Sequence, residues 1–312
     1  MGAVRGRADR LLRWYPATWR SRYGEELTAL LEDTYGDGRV PVGQRLSLAG
    51  RGLHERARRS ALIAGDGDPA RRARSGSLVV LCSWPAFVIA GGAFAKYAEH
   101  WDAATPPSAR WLPAAAYDVV VAGAVAGATV VALGALVALP AFVSFLRAGR
   151  WRELRAAVAV AVALTALSVT ATVGAVLWAH GQSTVQRNTT SVLGLGLGGA
   201  FALCLVATLA AWCTAVVAAV GRLELSGRSL QVEGALAVAL LGAMAAVTAG
   251  TVTWWAALAT SAPRVLSDNL LGSWGPGLAP VLVGAGLLMT AGLSAATVGV
   301  VRVVRALPSL TP

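Results

Sequence analysis

Asp118 is the foremost candidate for chemistry in this sequence: a carboxylate just inside the outer end of a long apolar run. Ionisable groups at membrane depth are costly, and where they occur they tend to mark ion paths, proton relays or substrate contacts. Arg110 and Lys96 are the cations nearest to it in the expected topology, which makes Asp118 a candidate polar membrane site. A carboxylate that simply reaches water at headgroup depth is the competing reading. His180 ends the third apolar run, and His54 and His100 are remote from it in sequence. No HExxH pattern, carboxylate cluster or Cys–His spacing suggests a metal. Cys82, Cys204 and Cys213 all lie within apolar runs and read as small apolar side chains. There is no Walker A sequence and no serine in a strand–turn–helix setting. No catalytic residue, metal or cofactor is therefore expected, and the chain is read as non-enzymatic.

The second group with chemical potential is suited to recognition. Trp19, Arg20, Arg22, Tyr23, Gly24, Glu25 and Glu26 crowd aromatic, basic and acidic groups into eight residues. Arg20 and Arg22 are placed to pair with Glu25 and Glu26, and Gly24 leaves room for a close neighbour. The Arg22–Glu26 spacing on an exposed helix contributes only about 0.2–0.5 kcal/mol, so these charges are better suited to a partner than to stability.

The elements that position these residues follow from composition. With 312 residues, 56% hydrophobic and 14% charged, the chain has a mean hydropathy of +0.60. Ordinary soluble domains carry about 25% charged residues. Six apolar runs, approximately 77–97, 117–140, 156–178, 192–220, 235–258 and 279–301, each reach the roughly 20 residues that cross a bilayer as helix. They are continuous and too long for barrel strands. The first begins far too late to be a cleavable signal peptide. The expected fold is all-α: a polytopic transmembrane bundle of six helices (77–301), preceded by a basic helical module (1–76) and followed by a short tail (302–312).

Charge orients this bundle. The chain carries a net charge of +11 with 27 basic residues, of which 15 fall in the first 76 positions. Arg147, Arg150, Arg152 and Arg155 lie between the second and third runs, Arg222 and Arg228 between the fourth and fifth, and Arg302 and Arg305 after the sixth. The alternate loops hold Arg110, Arg187 and Arg264, with Lys96 at the end of the first run. Basic residues stay on the cytoplasmic side, so both termini are expected in the cytoplasm of a multi-pass plasma-membrane protein. Trp101, Trp111, Trp178, Trp254, Trp255 and Trp274 fall near the expected outer interface, where indoles form belts. Gly123 with Gly127, and Gly194 with Gly198, are small-xxx-small pairs that allow close helix contact. Pro85 and Pro140 are expected to kink or end their runs.

Within the module the pattern predicts helices over Asp9–Tyr15, Trp19–Thr34 and about Val42–Leu62. Their apolar faces are Trp19, Tyr23, Leu27, Leu30 and Leu31 in the second, and Val42, Leu46, Ala49, Leu53 and Ala57 in the third. Gly50 and Gly52 weaken the third by about 1 kcal/mol each. The arginines are scattered among nine acidic residues, so no nucleic acid is expected as a partner. Tyr15-Pro16, Trp19-Arg20, Arg22-Tyr23-Gly24-Glu25-Glu26, the Leu30–Asp33 end and the arginine-rich Gly50–Arg59 stretch carry a resemblance. The first 60 or so residues resemble the N-terminal helical module of many actinobacterial integral membrane proteins, related to permease prefix and HAAS-type signalling domains. The resemblance implies a cytoplasmic regulatory or assembly module fused to membrane helices, often beside export systems or regulators, and it implies no catalysis. The expected function is a regulatory or complex-assembly role linked to an export or envelope-stress system. The partners are the lipid bilayer and a membrane protein or export-system ATPase. The alternative is a small-solute transporter or permease subunit.

Overall fold

The structure, a computed structural model, describes residues 11–35, 40–59, 68–97, 101–181, 192–223, 226–267 and 280–310. Among these, every regular element is helical. The chain divides into two compact units, Met1–Asp68 and Pro69–Pro312.

In the first unit a helical turn closes with the Trp14 and Tyr15 amides donating to the Leu11 and Leu12 carbonyls. Helix α1 (Ala17–Tyr35) and helix α2 (Val42–Arg59) follow. Asp9 and Arg10, at the start of the expected first helix, lie outside the described residues. Among the described residues of this unit, Leu12, Tyr15, Gly24, Leu31 and Gly52 are buried. The α1 face is therefore rotated from the expected one: Trp19 and Leu27 are half-buried, while Tyr23 and Leu30 are exposed. In α2, Val42 and Leu46 stand 66% and 68% exposed, contrary to the apolar face expected from their spacing.

The reason is where α2 makes its contact. A methyl group at Gly52 would lie 2.8 Å from Trp14 Cβ and 2.9 Å from the Trp14 carbonyl carbon. The residue that looked like a weak point is thus where α2 closes on the turn before α1, and Val42 and Leu46 lie well before that contact. Gly24 differs, because an added methyl would meet Arg20 Cβ at 3.8 Å and Leu12 Cδ1 at 3.9 Å, ordinary contact distances. Gly52→Ala should loosen the unit by roughly 1–3 kcal/mol, the range for overpacking. Gly24→Ala should be neutral or gain up to about 1 kcal/mol from helix propensity. Hydrogen exchange of α1 and α2 in the full-length protein would measure both, and equal effects would contradict this assignment.

The second unit contains α3 (Pro69–Tyr97), the short α4 (Trp101–Ala104), α5 (Trp111–Arg147), α6 (Arg155–His180), α7 (Val192–Val220), α8 (Gly227–Ser261), the short α9 (Pro263–Ser267) and α10 (Pro280–Ala306). Six of these are long and apolar enough to cross a membrane. Several extend beyond the apolar runs. α3 begins at Pro69, so Arg71, Arg72 and Arg74 belong to the first spanning helix. α10 likewise takes in Arg302 and Arg305. Pro85 and Pro140 both sit inside continuous helix. Pro140 does not end its span, because breaking a helix in lipid would expose backbone groups that have no water to bond. The 37-residue α5, about 55 Å long at 1.5 Å per residue, stops only at Ala148 and Gly149, where the glycine adopts a left-handed φ of 72°.

Helices pair as α3 with α10, α5 with α8, and α6 with α7, and α8 also touches α3 and α10. The α8 residues Leu230, Gly234, Ala237, Leu240, Met244 and Val247 are buried at three- and four-residue intervals, which makes α8 the hub of the group. Glycines sit where backbones meet. A methyl at Gly123 would lie 2.8 Å from Val247 Cγ2 on α8, and one at Gly127 would overlap the Trp84 ring on α3. The Gly123–Gly127 pair thus receives two different helices. The surroundings of Gly194 and Gly198, within α7, lie outside the described residues.

Candidate functional site

Asp118 occupies the second turn of α5 and is exposed, next to Val119, which is 45% exposed. Ala116, Val120 and Gly123 form the buried face of the same helix, so the carboxylate points away from the bundle. Arg110, its expected partner, instead donates from Nε to the Thr105 carbonyl oxygen at 2.7 Å. The Lys96 side chain lies outside the described residues. His180 is exposed, with Nδ1 2.9 Å from the Val176 carbonyl oxygen.

In the N-terminal unit, Arg20, Arg22, Tyr23, Glu25 and Glu26 form an exposed arc on α1, while Gly24 faces inward. Trp19 lies half-buried against Tyr15, with ring centroids 4.1 Å apart. Neither arginine forms an ion pair with Glu25 or Glu26 among the described residues. The Arg22 guanidinium stands 5.3 Å from the Tyr23 ring centroid instead. A cleft of about 440 Å³ opens beside this arc, lined by Tyr15, Trp19, Leu27, Leu48, Arg51 and Glu55. Burial pushes the Tyr15 phenol above its ordinary value; Arg51 opposes that shift and Glu55 adds to it. A neutral phenol is what an aromatic cleft needs, because a buried phenolate would carry a desolvation cost.

Two groupings were not legible in the sequence. The first is aromatic. Trp254 is fully buried, its ring edge-on to Phe94 at 4.9 Å, and Tyr117 joins Phe94 and Trp101 at 6.0 and 6.4 Å. Trp101 and Trp254 are therefore core residues, not members of an interfacial belt. Trp111 is 72% exposed and suits the belt reading. Trp274 lies outside the described residues.

The second is electrostatic. Glu153, in the short turn between α5 and α6, accepts from Arg150 Nε at 3.1 Å through one oxygen and lies 3.0 Å from Arg222 Nε through the other. Arg222 follows α7, so one carboxylate ties together both ends of the α6–α7 pair. Beneath it pack Phe145, Leu154 and Leu223. Along the pair, Ser168 bonds Thr208 at 2.8 Å and the Trp212 indole donates to Thr165 at 3.0 Å. The Arg150 hydrogen bond, opposed by some burial and reinforced by both guanidinium charges, holds the Glu153 carboxyl below its ordinary value of 4.5. Because the folded pKa is the lower one, the linked stability is present above the unfolded value and lost as pH falls through the folded value. The difference in thermal midpoint between wild type and Glu153→Gln should therefore be largest near neutrality and low salt. It should vanish once pH has fallen through the folded carboxyl value, which lies below the ordinary one, or in high salt, as expected for exposed pairs. A difference independent of both would mean the carboxylate acts through packing.

Among the described residues, no group of three or more His, Cys, Asp or Glu side chains could hold a metal ion. All three cysteines are free and half-buried.

An all-α chain with six helices of spanning length and hydropathy, preceded by further helices, is a multi-span membrane protein. Beyond that class, the chain matches no protein-family model, no curated protein and no solved structure.

Proposed function

We propose that this is a non-enzymatic membrane protein with a regulatory or complex-assembly role, and that its N-terminal unit is a cytoplasmic docking module. The observation that carries this reading is the way the spans pack. Gly76, Gly123, Gly127, Gly250 and Gly299 press against neighbouring helices, while Asp118 faces outward. A transporter requires a polar path, and Asp118, the acidic candidate for it from the sequence, stands outside the packed group. The exposed arc of Arg20, Arg22, Tyr23, Glu25 and Glu26 beside the Tyr15–Trp19 cleft supports recognition of a partner. The resemblance of this segment to permease prefix and HAAS-type modules supports placing that partner in an export or envelope-stress system.

Co-purification from native membranes tests the reading. A regulator or a second membrane complex should be recovered with the wild type and lost when Arg20 and Arg22 are both changed to glutamate. A stoichiometric ATPase, or solute uptake by the purified protein in vesicles, would transfer the assignment to a permease subunit or transporter. The proposed orientation has its own test. Reporter fusions after Gly149 and Gly227 should behave as cytoplasmic and a fusion within 184–190 as exported. An exported signal at Gly149 would invert or break the topology.

A further inference from the structure

One end of the spanning unit gathers basic residues around a buried donor. α3 and α8 begin at this end and α10 finishes there. Gly76 meets Gly299 and Val303, and Gly234 meets Val303 and Leu307. The crossing brings Arg71, Arg72 and Arg74 of α3, Arg228 of α8, and Arg302 and Arg305 of α10 to the same end. Glu233, which interacts electrostatically with Arg74, is the acidic residue that these helices supply among them. Arg71, Arg228 and Arg305 are exposed, and Arg72, Arg74 and Arg302 are half-buried.

Arg74 is the unusual member. Its Nε is buried and has no hydrogen-bond partner. Buried donors are nearly always paired, and a charged one left unpaired is especially costly. Glu233 offsets part of its charge without forming an ion pair with it, since no such contact occurs within 4.0 Å. A partner for this side chain has to be an acceptor, and the surrounding charge favours an anion. Apolar surface begins within a turn of these arginines: Val232, Val301 and Val304 are 44%, 40% and 50% exposed. An occupant with a phosphate head and hydrocarbon tails matches both surfaces, and basic sites between spanning helices suit anionic headgroups. A guanidinium also suits phosphate better than an ammonium, because its planar donors can bond two oxygens together.

We propose that the end of the bundle formed by α3, α8 and α10 binds the phosphate of an anionic phospholipid, with the half-buried guanidinium of Arg74 as its innermost donor group. The site belongs to the spanning unit and does not depend on the docking role of the N-terminal unit.

The test uses the full-length protein in a neutral detergent, with its thermal midpoint followed as lipid is added. Phosphatidylglycerol should raise the midpoint saturably, whereas phosphatidylcholine and inorganic phosphate at equal headgroup concentration should not. Arg74→Gln should weaken the apparent affinity for phosphatidylglycerol by about tenfold, the effect of one lost charge-assisted hydrogen bond. Arg74→Lys keeps the charge but not the Nε donor, so it should lose most of that affinity as well, and it serves where the glutamine variant does not fold. Arg147→Gln, on α5, should bind as the wild type does. Equal stabilisation by phosphatidylcholine would show general solvation by lipid, and stabilisation by inorganic phosphate alone would show a free-anion site. Either result overturns the proposal, as would wild-type affinity in both Arg74 variants.

Discussion

Gly76→Leu is expected to lower the thermal midpoint of the detergent-solubilised protein more than any other single glycine substitution in the spans. Even a methyl group at this position would stand 2.5 Å from the Gly299 carbonyl oxygen, 2.7 Å from Val303 Cγ2 and 3.1 Å from the Val303 amide nitrogen. The relation is reciprocal, since a methyl at Gly299 would lie 2.7 Å from the Gly76 carbonyl oxygen and 2.8 Å from Val80 Cγ2. A side-chain tip can rotate away from such an overlap, but two helix backbones cannot. Lipid supplies no hydrophobic drive to hold α3 and α10 together, so close contact along their length is what joins them. Forcing them apart loses that contact over several turns, and the cost should reach roughly 3 kcal/mol or more, the upper range for overpacking. Gly242→Leu is the control: nothing stands within 4 Å of its added carbon, and replacing glycine in a helix removes a propensity penalty of about 1 kcal/mol. Similar midpoints for the two variants would mean that the glycine crossing does not hold the bundle.

The positions of the spans along the chain were legible because the requirement that creates them is compositional and local. A run without charges and long enough for the bilayer has few alternatives. Azimuth was not legible. The depth of Asp118 near the end of its run follows from sequence, but its outward direction depends on α8 taking the face that includes Ala116, Val120 and Gly123. The same limitation misplaced Trp101 and Trp254. Their distance from the run ends suggested an interfacial belt, while their rings turn inward to meet Phe94 and Tyr117. Pairing between helices was hidden for a related reason. The chain has 35 glycines, so Gly76 and Gly299 carry no mark that distinguishes them from Gly91 or Gly242, which have open space around them. In the N-terminal unit, Val42 and Leu46 have the right spacing for an apolar face, yet the contact forms further along α2 at Gly52. Glu153 and Arg222 lie far apart in sequence, so their link appears only once α6 and α7 are folded back on each other.

Trp254→Ala should be the most damaging side-chain truncation in the aromatic group, whereas Trp111→Ala should leave stability nearly unchanged. The two tryptophans lie at similar distances from the ends of apolar runs, so depth alone predicts equal effects. Their surroundings predict otherwise: Trp254 is fully buried against Phe94, with Leu258 and Leu266 in the same core, and Trp111 is 72% exposed. Removing a buried tryptophan ring in a water-soluble protein costs about 3–5 kcal/mol. Here the lower end, roughly 3 kcal/mol, is expected, because lipid does not penalise newly exposed apolar surface as water does. Trp254→Phe separates volume from polarity. The Trp254 Nε1 is buried without a hydrogen-bond partner, so phenylalanine removes an unsatisfied donor, a gain of about 1–3 kcal/mol, while leaving a smaller cavity. The two terms oppose each other, and the phenylalanine variant should fall within about 1 kcal/mol of wild type on that balance. Thermal midpoints of the three variants in one detergent decide the matter. If Trp254→Phe were as damaging as Trp254→Ala, the indole N–H must have a partner in the membrane-embedded protein, and the aromatic group would then be a polar site instead of a packing core.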